Sequence, residues 1–125
     1  MRIRVLTVLL LLGATAAPLA ADARSDAKKQ VEFGITVAQR GLWREAIYRW
    51  ERAAQIDPKY AEAYNDLAIA YEHEGDLEKA RVAYEKALEI EPNNALIKQN
   101  YELFKEINDR TTRKDTQDDP GNQNP

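Results

Sequence analysis

The sequence contains no cysteine and a single histidine, His73. Without cysteine there can be no disulfide framework, no zinc–thiolate site and no thiol nucleophile. One histidine cannot supply a histidine metal cluster. Serine occurs once, at Ser25, and no Gly-rich phosphate loop is present, so neither a serine nucleophile with its base nor a nucleotide cradle can be assembled. We therefore expect no catalytic residue, no metal site and no cofactor.

Positive charge is also scarce, with 18 Lys and Arg against 21 Asp and Glu and a net charge of −3. Nucleic-acid binding needs a basic face that neutralises phosphates, so we expect no nucleic-acid partner. The length of 125 residues allows one domain at most. Only five Gly and five Pro interrupt a composition rich in Ala, Glu, Leu, Lys and Arg, which favours helices.

The first residues have the pattern of a secretory signal peptide. Arg2 and Arg4 form a short basic start, residues 5–21 carry no charge, and small residues follow the apolar run. We predict a signal peptide at 1–23 with cleavage after Ala23, or after Ala21 as the alternative. The chain would then be exported, to the periplasm, with no membrane span left after cleavage. The other interpretation is an uncleaved anchor in the inner membrane, for which the apolar run is short.

An internal repeat dominates the rest of the chain. Residues 27–60 and 61–94 are two adjacent units of equal length that stay in register throughout. In each unit the apolar positions follow a helical period, a glycine breaks the unit in the middle and a proline stands near its end. Each unit therefore predicts two helices joined by a turn. The identical pairs are Ala27/Ala61, Ile35/Ile69, Gly41/Gly75, Ala46/Ala80, Glu51/Glu85, Ala53/Ala87, Ile56/Ile90 and Pro58/Pro92.

This pattern resembles the tetratricopeptide repeat family. The first unit departs from the family in its aromatic position, which holds Gln30, and in its tyrosine position, which holds Val37. The resemblance implies an all-α, short right-handed α-solenoid of helix-turn-helix repeats, and a protein–protein interaction module rather than an enzyme. The second unit carries the closer match, at Tyr64, Leu67, Ala68, Tyr71, Gly75, Ala80, Tyr84, Ala87 and Pro92.

The segments outside the two units complete the predicted organisation. Residues 95–108 begin like a third repeat and then drift, so we predict a helix that caps the apolar face of the last unit. Residues 24–26 form a short leader. Residues 109–125 hold no aliphatic or aromatic side chain, so we predict a disordered tail.

In the family that this sequence resembles, the first helix of each unit lines a concave surface. Carrying those positions over predicts a groove whose apolar strip would bind an amphipathic helix or an extended peptide. Two alternatives stay open: Ile35 and Ile69 could pack mainly on each other, and His73 could be an ordinary exposed residue. The predicted groove consists of Val31, Ile35, Ala38, Asn65, Ile69, Glu72, His73, Leu96, Gln99 and Leu103.

Some family members grip a C-terminal carboxylate with basic groove residues. The matching positions in this chain supply no cation, so the resemblance implies no such clamp. Those positions hold Val31, Ile35, Asp66, Leu96 and Asn100.

Charge differs between the two units. The first has seven basic and four acidic side chains, whereas the second has three basic and nine acidic ones. Such a polarised solenoid could associate head to tail, so self-association into a homo-oligomeric scaffold is the alternative function.

Overall fold

A computed structural model describes residues 17–117 of the chain. Within that range it contains five α-helices and no strand, and α1 packs most extensively on α2, as α3 does on α4. The predicted all-α repeat solenoid, with two helix pairs and a fifth helix, is confirmed. The helices are α1 Ala17–Ala38, α2 Trp43–Ile56, α3 Ala61–Glu74, α4 Leu77–Ile90 and α5 Ala95–Gln117.

Glycine ends the first helix of each pair. Gly41 and Gly75 both have φ of +78°, a left-handed conformation in which a side chain would be strained. At Gly75 the backbone N–H of Asp76 donates to the carbonyl of Tyr71 at 2.8 Å, which closes the last turn of α3. The carboxylate of Asp76 then accepts the backbone N–H of Lys79 at 3.3 Å and caps α4. The turn residues thus fix the angle at which the two helices pack.

One large ring fills the centre of each helix pair. In the first pair Trp50 from α2 lies directly over Gly34 on α1, and its Nε1 donates to the carbonyl of Val31 at 3.2 Å. In the second pair Tyr84 and Ala68 occupy the equivalent positions, and both are fully buried. A small residue on one helix therefore makes room for an aromatic ring on the other.

Tyrosine hydroxyls tie α3, α4 and α5 each to the helix before it. Burial, together with the hydrogen bond to Glu51, raises the pKa of Tyr71 to about 12, so this hydroxyl remains a donor at physiological pH. Burial and the hydrogen bond to Glu72 raise the pKa of Tyr84 as well. The bonds run from Tyr71 to Glu51 at 2.9 Å, from Tyr84 to Glu72, and from Tyr101 to Glu85 at 3.0 Å.

The first helix is longer than the sequence pattern indicated. The predicted leader at 24–26 is wrong as a separate segment, because α1 runs without a break from Ala17. Its alanine-rich start favours helix, and Arg24 anchors it by an ion pair with Asp57 and a 3.1 Å bond to the carbonyl of Lys59. The predicted cleavage position after Ala23 lies inside α1, and residues 1–16 of the predicted signal lie outside the described residues. Among residues 17–117 no helix is long and apolar enough to cross a membrane.

The last helix is also longer than predicted. The prediction of disorder is wrong for residues 109–117, where α5 continues to Gln117. No helix-breaking residue interrupts this segment, Arg110 pairs with Glu106, and the hydroxyl of Thr111 bonds the carbonyl of Ile107 at 3.0 Å. The remainder of the predicted tail, 118–125, lies outside the described residues.

Candidate partner-binding groove

An open pocket of about 260 Å³ lies where α1, α2 and α3 meet. Its two aliphatic walls are Ile35 and Ile69, which occupy equivalent positions in the two units and are 37% and 38% exposed. Internal packing therefore covers only part of each isoleucine, and apolar surface is left open between them. The pocket is lined by Ile35, Ala38, Gln39, Trp43, Trp50, Asp66 and Ile69.

Two of the predicted groove residues are buried. Val31 is 1% exposed and Asn65 is 5% exposed, and they are equivalent positions in the two units. Val31 lies with Ala27 and Gly34 on the face of α1 that packs on α2, whereas Ile35 lies on a different, partly exposed face. Asn65 accepts a 3.0 Å hydrogen bond from Asn100 and joins α3 to α5. The prediction is therefore wrong for Val31, whereas Asn65, although buried, borders the space between α3 and α5.

At one end of the pocket, His73 is an aromatic neighbour of Trp43. The two rings stack with centroids 4.1 Å apart and planes inclined by 21°, while the imidazole stays exposed. Glu72 is half-buried and accepts the hydroxyl of Tyr84, so one of its oxygens is already engaged. Trp43 is not among the predicted groove residues, although it forms part of the pocket wall.

The fifth helix carries the remaining predicted residues on its surface. Leu103 is the third member of the series begun by Ile35 and Ile69, and it is 55% exposed. Leu96 and Gln99 are exposed as well. Leu96 also borders a second pocket, of about 420 Å³, between α3 and α5.

The second pocket shares one residue, Asp66, with the first. The Oδ1 of Asp66 accepts the side-chain amide of Asn65 at 3.4 Å, whereas its Oδ2 is buried and has no hydrogen-bond partner among the described residues. Burial, with the charge of Glu62 nearby, raises the pKa of Asp66 to about 7, although the Asn65 bond acts in the opposite direction. From the sequence Asp66 is noted only as a groove position that lacks a cation, because the burial of Asp66 depends on how α3 packs against its neighbours.

A third pocket, of about 450 Å³, was not predicted and shares no residue with the first. In the first unit the equivalent crevice holds the guanidinium of Arg49, which lies 4.4 Å from the ring centroid of Phe33. The second unit has Ala83 in place of Arg49, which leaves the crevice open. It is lined by Tyr64, Leu67, Tyr71, Glu78, Lys79, Val82, Ala83 and Lys86.

Within residues 17–117, no three His, Asp or Glu side chains lie together as a metal ion would require. What the helix pairs do build is a set of open surfaces on a repeat scaffold, of which the first and third pockets are mainly apolar and the second is mixed. These features define a helical-repeat protein of the kind that mediates protein–protein interaction.

Two family models identify these repeats. One, described as a tetratricopeptide repeat, matches residues 61–94, and another, described as a TPR repeat, matches residues 37–75. Over this region the chain belongs to the tetratricopeptide repeat family.

Similar curated proteins share these repeats. The chain is 32% identical over 89 residues to the type IV pilus assembly protein PilF of Pseudomonas aeruginosa, a match covering 70% of this chain and 35% of that protein. It is 35% identical over 69 residues to the small glutamine-rich tetratricopeptide repeat-containing protein 2 of Mycosarcoma maydis, covering 55% and 20%. It is 29% identical over 74 residues to the chloroplastic tetratricopeptide repeat domain-containing protein PYG7 of Arabidopsis thaliana, covering 59% and 25%. The chain thus spans only a fifth to about a third of these relatives.

Proposed function

We propose that this chain is a non-catalytic interaction module of the cell envelope, which binds a peptide or helix of a partner protein in its groove. The groove consists of the pocket between Ile35 and Ile69 and its continuation along α5 at Leu96 and Leu103. The observation that carries the proposal is the apolar pocket, which is open to solvent and whose lining is apolar except for Gln39 and Asp66. Exposed apolar surface of this kind is typical of a site that another protein covers.

The spacing of the apolar groups favours a partner with several apolar anchors on one face. Ile35, Ile69 and Leu103 recur at equivalent positions of successive first helices, so the exposed aliphatics form a series across the molecule. An amphipathic helix presents its anchors in such a series, since every third or fourth side chain lies on one face. Gln99 and the exposed face of His73 would then orient the partner at the edge.

The location in the envelope rests on two observations. The N-terminal pattern of Arg2, Arg4 and an uncharged run is typical of an export signal. In addition, one of the similar proteins is a type IV pilus assembly protein of a bacterium. We place the chain in the periplasm, with attachment to the inner membrane through an uncleaved N-terminal segment as the alternative.

Replacing Ile69 with Glu tests the groove directly. The change puts a charge into an apolar pocket, so we expect affinity for the partner to fall at least tenfold while the helical circular dichroism stays that of the wild type. The partner is first isolated by crosslinking the wild-type protein in its native cells, and its affinity is then measured by calorimetry. The matched control is Val82→Glu, an exposed aliphatic on α4 outside the groove. Wild-type affinity in Ile69→Glu would refute the proposal.

A second candidate function is self-association, which the charge asymmetry favours. The acidic second unit of one copy would attract the basic first unit of another, with a strong dependence on salt. Sedimentation that finds only monomers at high protein concentration and low ionic strength would exclude this candidate.

A further inference from the structure

Asp66 presents an unusual group at the floor of the groove. The residue Asp66 lines both pockets along α3, and its Oδ2 is buried without a hydrogen-bond partner among the described residues. A buried polar atom without a partner is unfavourable, and native proteins retain few of them. An open site beside the orphaned oxygen indicates that a donor from outside completes it.

The surroundings of Asp66 specify the charge of that donor. The charged residues that line the two pockets are all acidic, namely Asp66, Glu62 and Glu91, and neither pocket has a lysine or arginine in its described lining. Asn100 donates to Asn65 and Asn65 donates to Asp66, so this chain of amides favours the charged form of the Asp66 carboxylate. A cation would be complementary to this arrangement, whereas an anion would be repelled.

The pocket next to Asp66 specifies the rest of the partner. Ile35, Ile69 and Trp43 provide an apolar wall within the same 260 Å³ space that Asp66 lines. The methylenes of a lysine or arginine side chain can lie along apolar surface while the charged end reaches a polar group. One amphipathic side chain, or a cation next to an aliphatic side chain, can therefore satisfy both features.

We propose that the partner segment bound in this groove presents a lysine or arginine to Asp66, beside an apolar side chain seated between Ile35 and Ile69. This inference rests on the proposed function and adds the chemistry of the anchor. The groove would then select basic amphipathic segments and reject acidic ones, because the ion pair with Asp66 forms in a largely desolvated position.

Binding of such a segment is coupled to a proton. In the free protein the Asp66 carboxyl has a pKa of about 7, so it is partly protonated near neutral pH. A bound cation favours the carboxylate, so binding releases protons and affinity rises as the pH increases through this value. The groups facing Asp66 are Glu62 on α3, the Tyr60 hydroxyl before α3 and the Tyr84 hydroxyl on α4. Burial and a carboxylate hydrogen bond raise the pKa of each tyrosine well above this range, so neither hydroxyl titrates here.

The experiment uses a phage-displayed library of random peptides selected on the full-length wild-type protein. We expect the selected peptides to share a lysine or arginine next to an aliphatic or aromatic residue. In a synthetic copy, replacing that cation with norleucine should weaken binding to the wild type at least tenfold. In Asp66→Asn the two peptides should bind within about threefold of each other. Glu89→Gln, which removes an exposed carboxylate on α4, is the matched control and should keep the tenfold difference.

Calorimetry in buffers of different ionisation enthalpy adds a separate readout. The wild type should release a fraction of a proton on binding the basic peptide near pH 7, and Asp66→Asn should release none. Peptides that need an intact Ile69 but show no preference for a cation would overturn the inference and leave the proposed function standing. A cation preference that persists in Asp66→Asn would also overturn it. If no selected peptide is sensitive to Ile69→Glu, both proposals fail.

Discussion

The centres of the two helix pairs show how neighbouring residues compensate in size. Trp50 is paired with Gly34, whereas the smaller Tyr84 is paired with Ala68. A Cβ added at Gly34 would lie 2.4 Å from Nε1 of Trp50, which is far inside van der Waals contact. The glycine of the first unit is therefore explained by the size of the tryptophan that packs on it, although glycine disfavours helix by about 0.5–1 kcal/mol.

Replacing Gly34 with Ala should accordingly lower the free energy of unfolding. We expect a loss of about 1–2 kcal/mol, because overpacking outweighs the gain in helix propensity. In a Trp50→Tyr background the same change should be neutral or stabilising, since the first pair would then match Ala68 and Tyr84. Urea unfolding of the four proteins of this cycle measures the coupling. An identical effect of Gly34→Ala in both backgrounds would contradict the explanation.

The candidate groove shows which individual residues a sequence can assign. The equivalence of Ile35 and Ile69 at the repeat offset was readable, and both line the pocket. Val31 was misassigned because it lies one turn from Ile35, and the rotation of α1 against α2 decides which of the two faces the seam. The buried state of Asp66 depends on three surrounding helices, so no local pattern could reveal it.

Among the helices, α5 has the clearest structural role. It follows the last helix pair and packs on α4. Phe104 is 4% exposed and its ring centroid lies 5.5 Å from that of Tyr84, in a cluster that includes Tyr101. Since α4 would otherwise expose the face carrying these contacts, we propose that α5 caps the solenoid.

Replacing the buried Phe104 with alanine tests whether α5 stabilises the fold by packing on α4. We expect Phe104→Ala to lower the free energy of unfolding by about 3 kcal/mol, because it removes a buried aromatic side chain and leaves a cavity. The neighbouring Leu103→Ala should change stability by about 0.5 kcal/mol or less, since Leu103 is exposed. Denaturant unfolding of both variants measures the difference. Equal losses would mean that α5 does not cap α4 through Phe104.

Helix existence could be predicted from the sequence more reliably than helix length. The internal glycines and prolines mark where α2, α3 and α4 begin and end, so those three helices follow from the repeat. At the outer end of α1, Pro18 lies in the first turn, where proline is compatible with a helix start, but the residues from Asp109 to Gln117 contain neither glycine nor proline. The extension of α1 to Ala17 depends on alanine content, and that of α5 to Gln117 on local pairs such as Glu106 with Arg110. Such features indicate a helix only weakly in a sequence.

Between residues 17 and 117 the protein is a short repeat scaffold with unequal charge, and its candidate groove lies across the two units. Two helix pairs and a fifth helix bury a limited core and leave Ile35 and Ile69 partly exposed. Covering this apolar surface with a partner would be favourable. The acidic second unit carries Asp66, and a basic amphipathic partner would match both its charge and its apolar strip. On the proposed function, binding in the groove and orientation by charge would thus involve the same surface.

The most direct measurement is site-specific photocrosslinking in the native cells. A photoreactive residue is placed at Ile69 in one protein and at Val82 in another, so that the first reports on the groove and the second on a control position outside it. We expect an adduct with a second protein from position 69 alone, and we expect Ile35→Glu to abolish it. Adducts from position 82 instead, or adducts of the chain only with itself, would contradict binding of a partner in the groove.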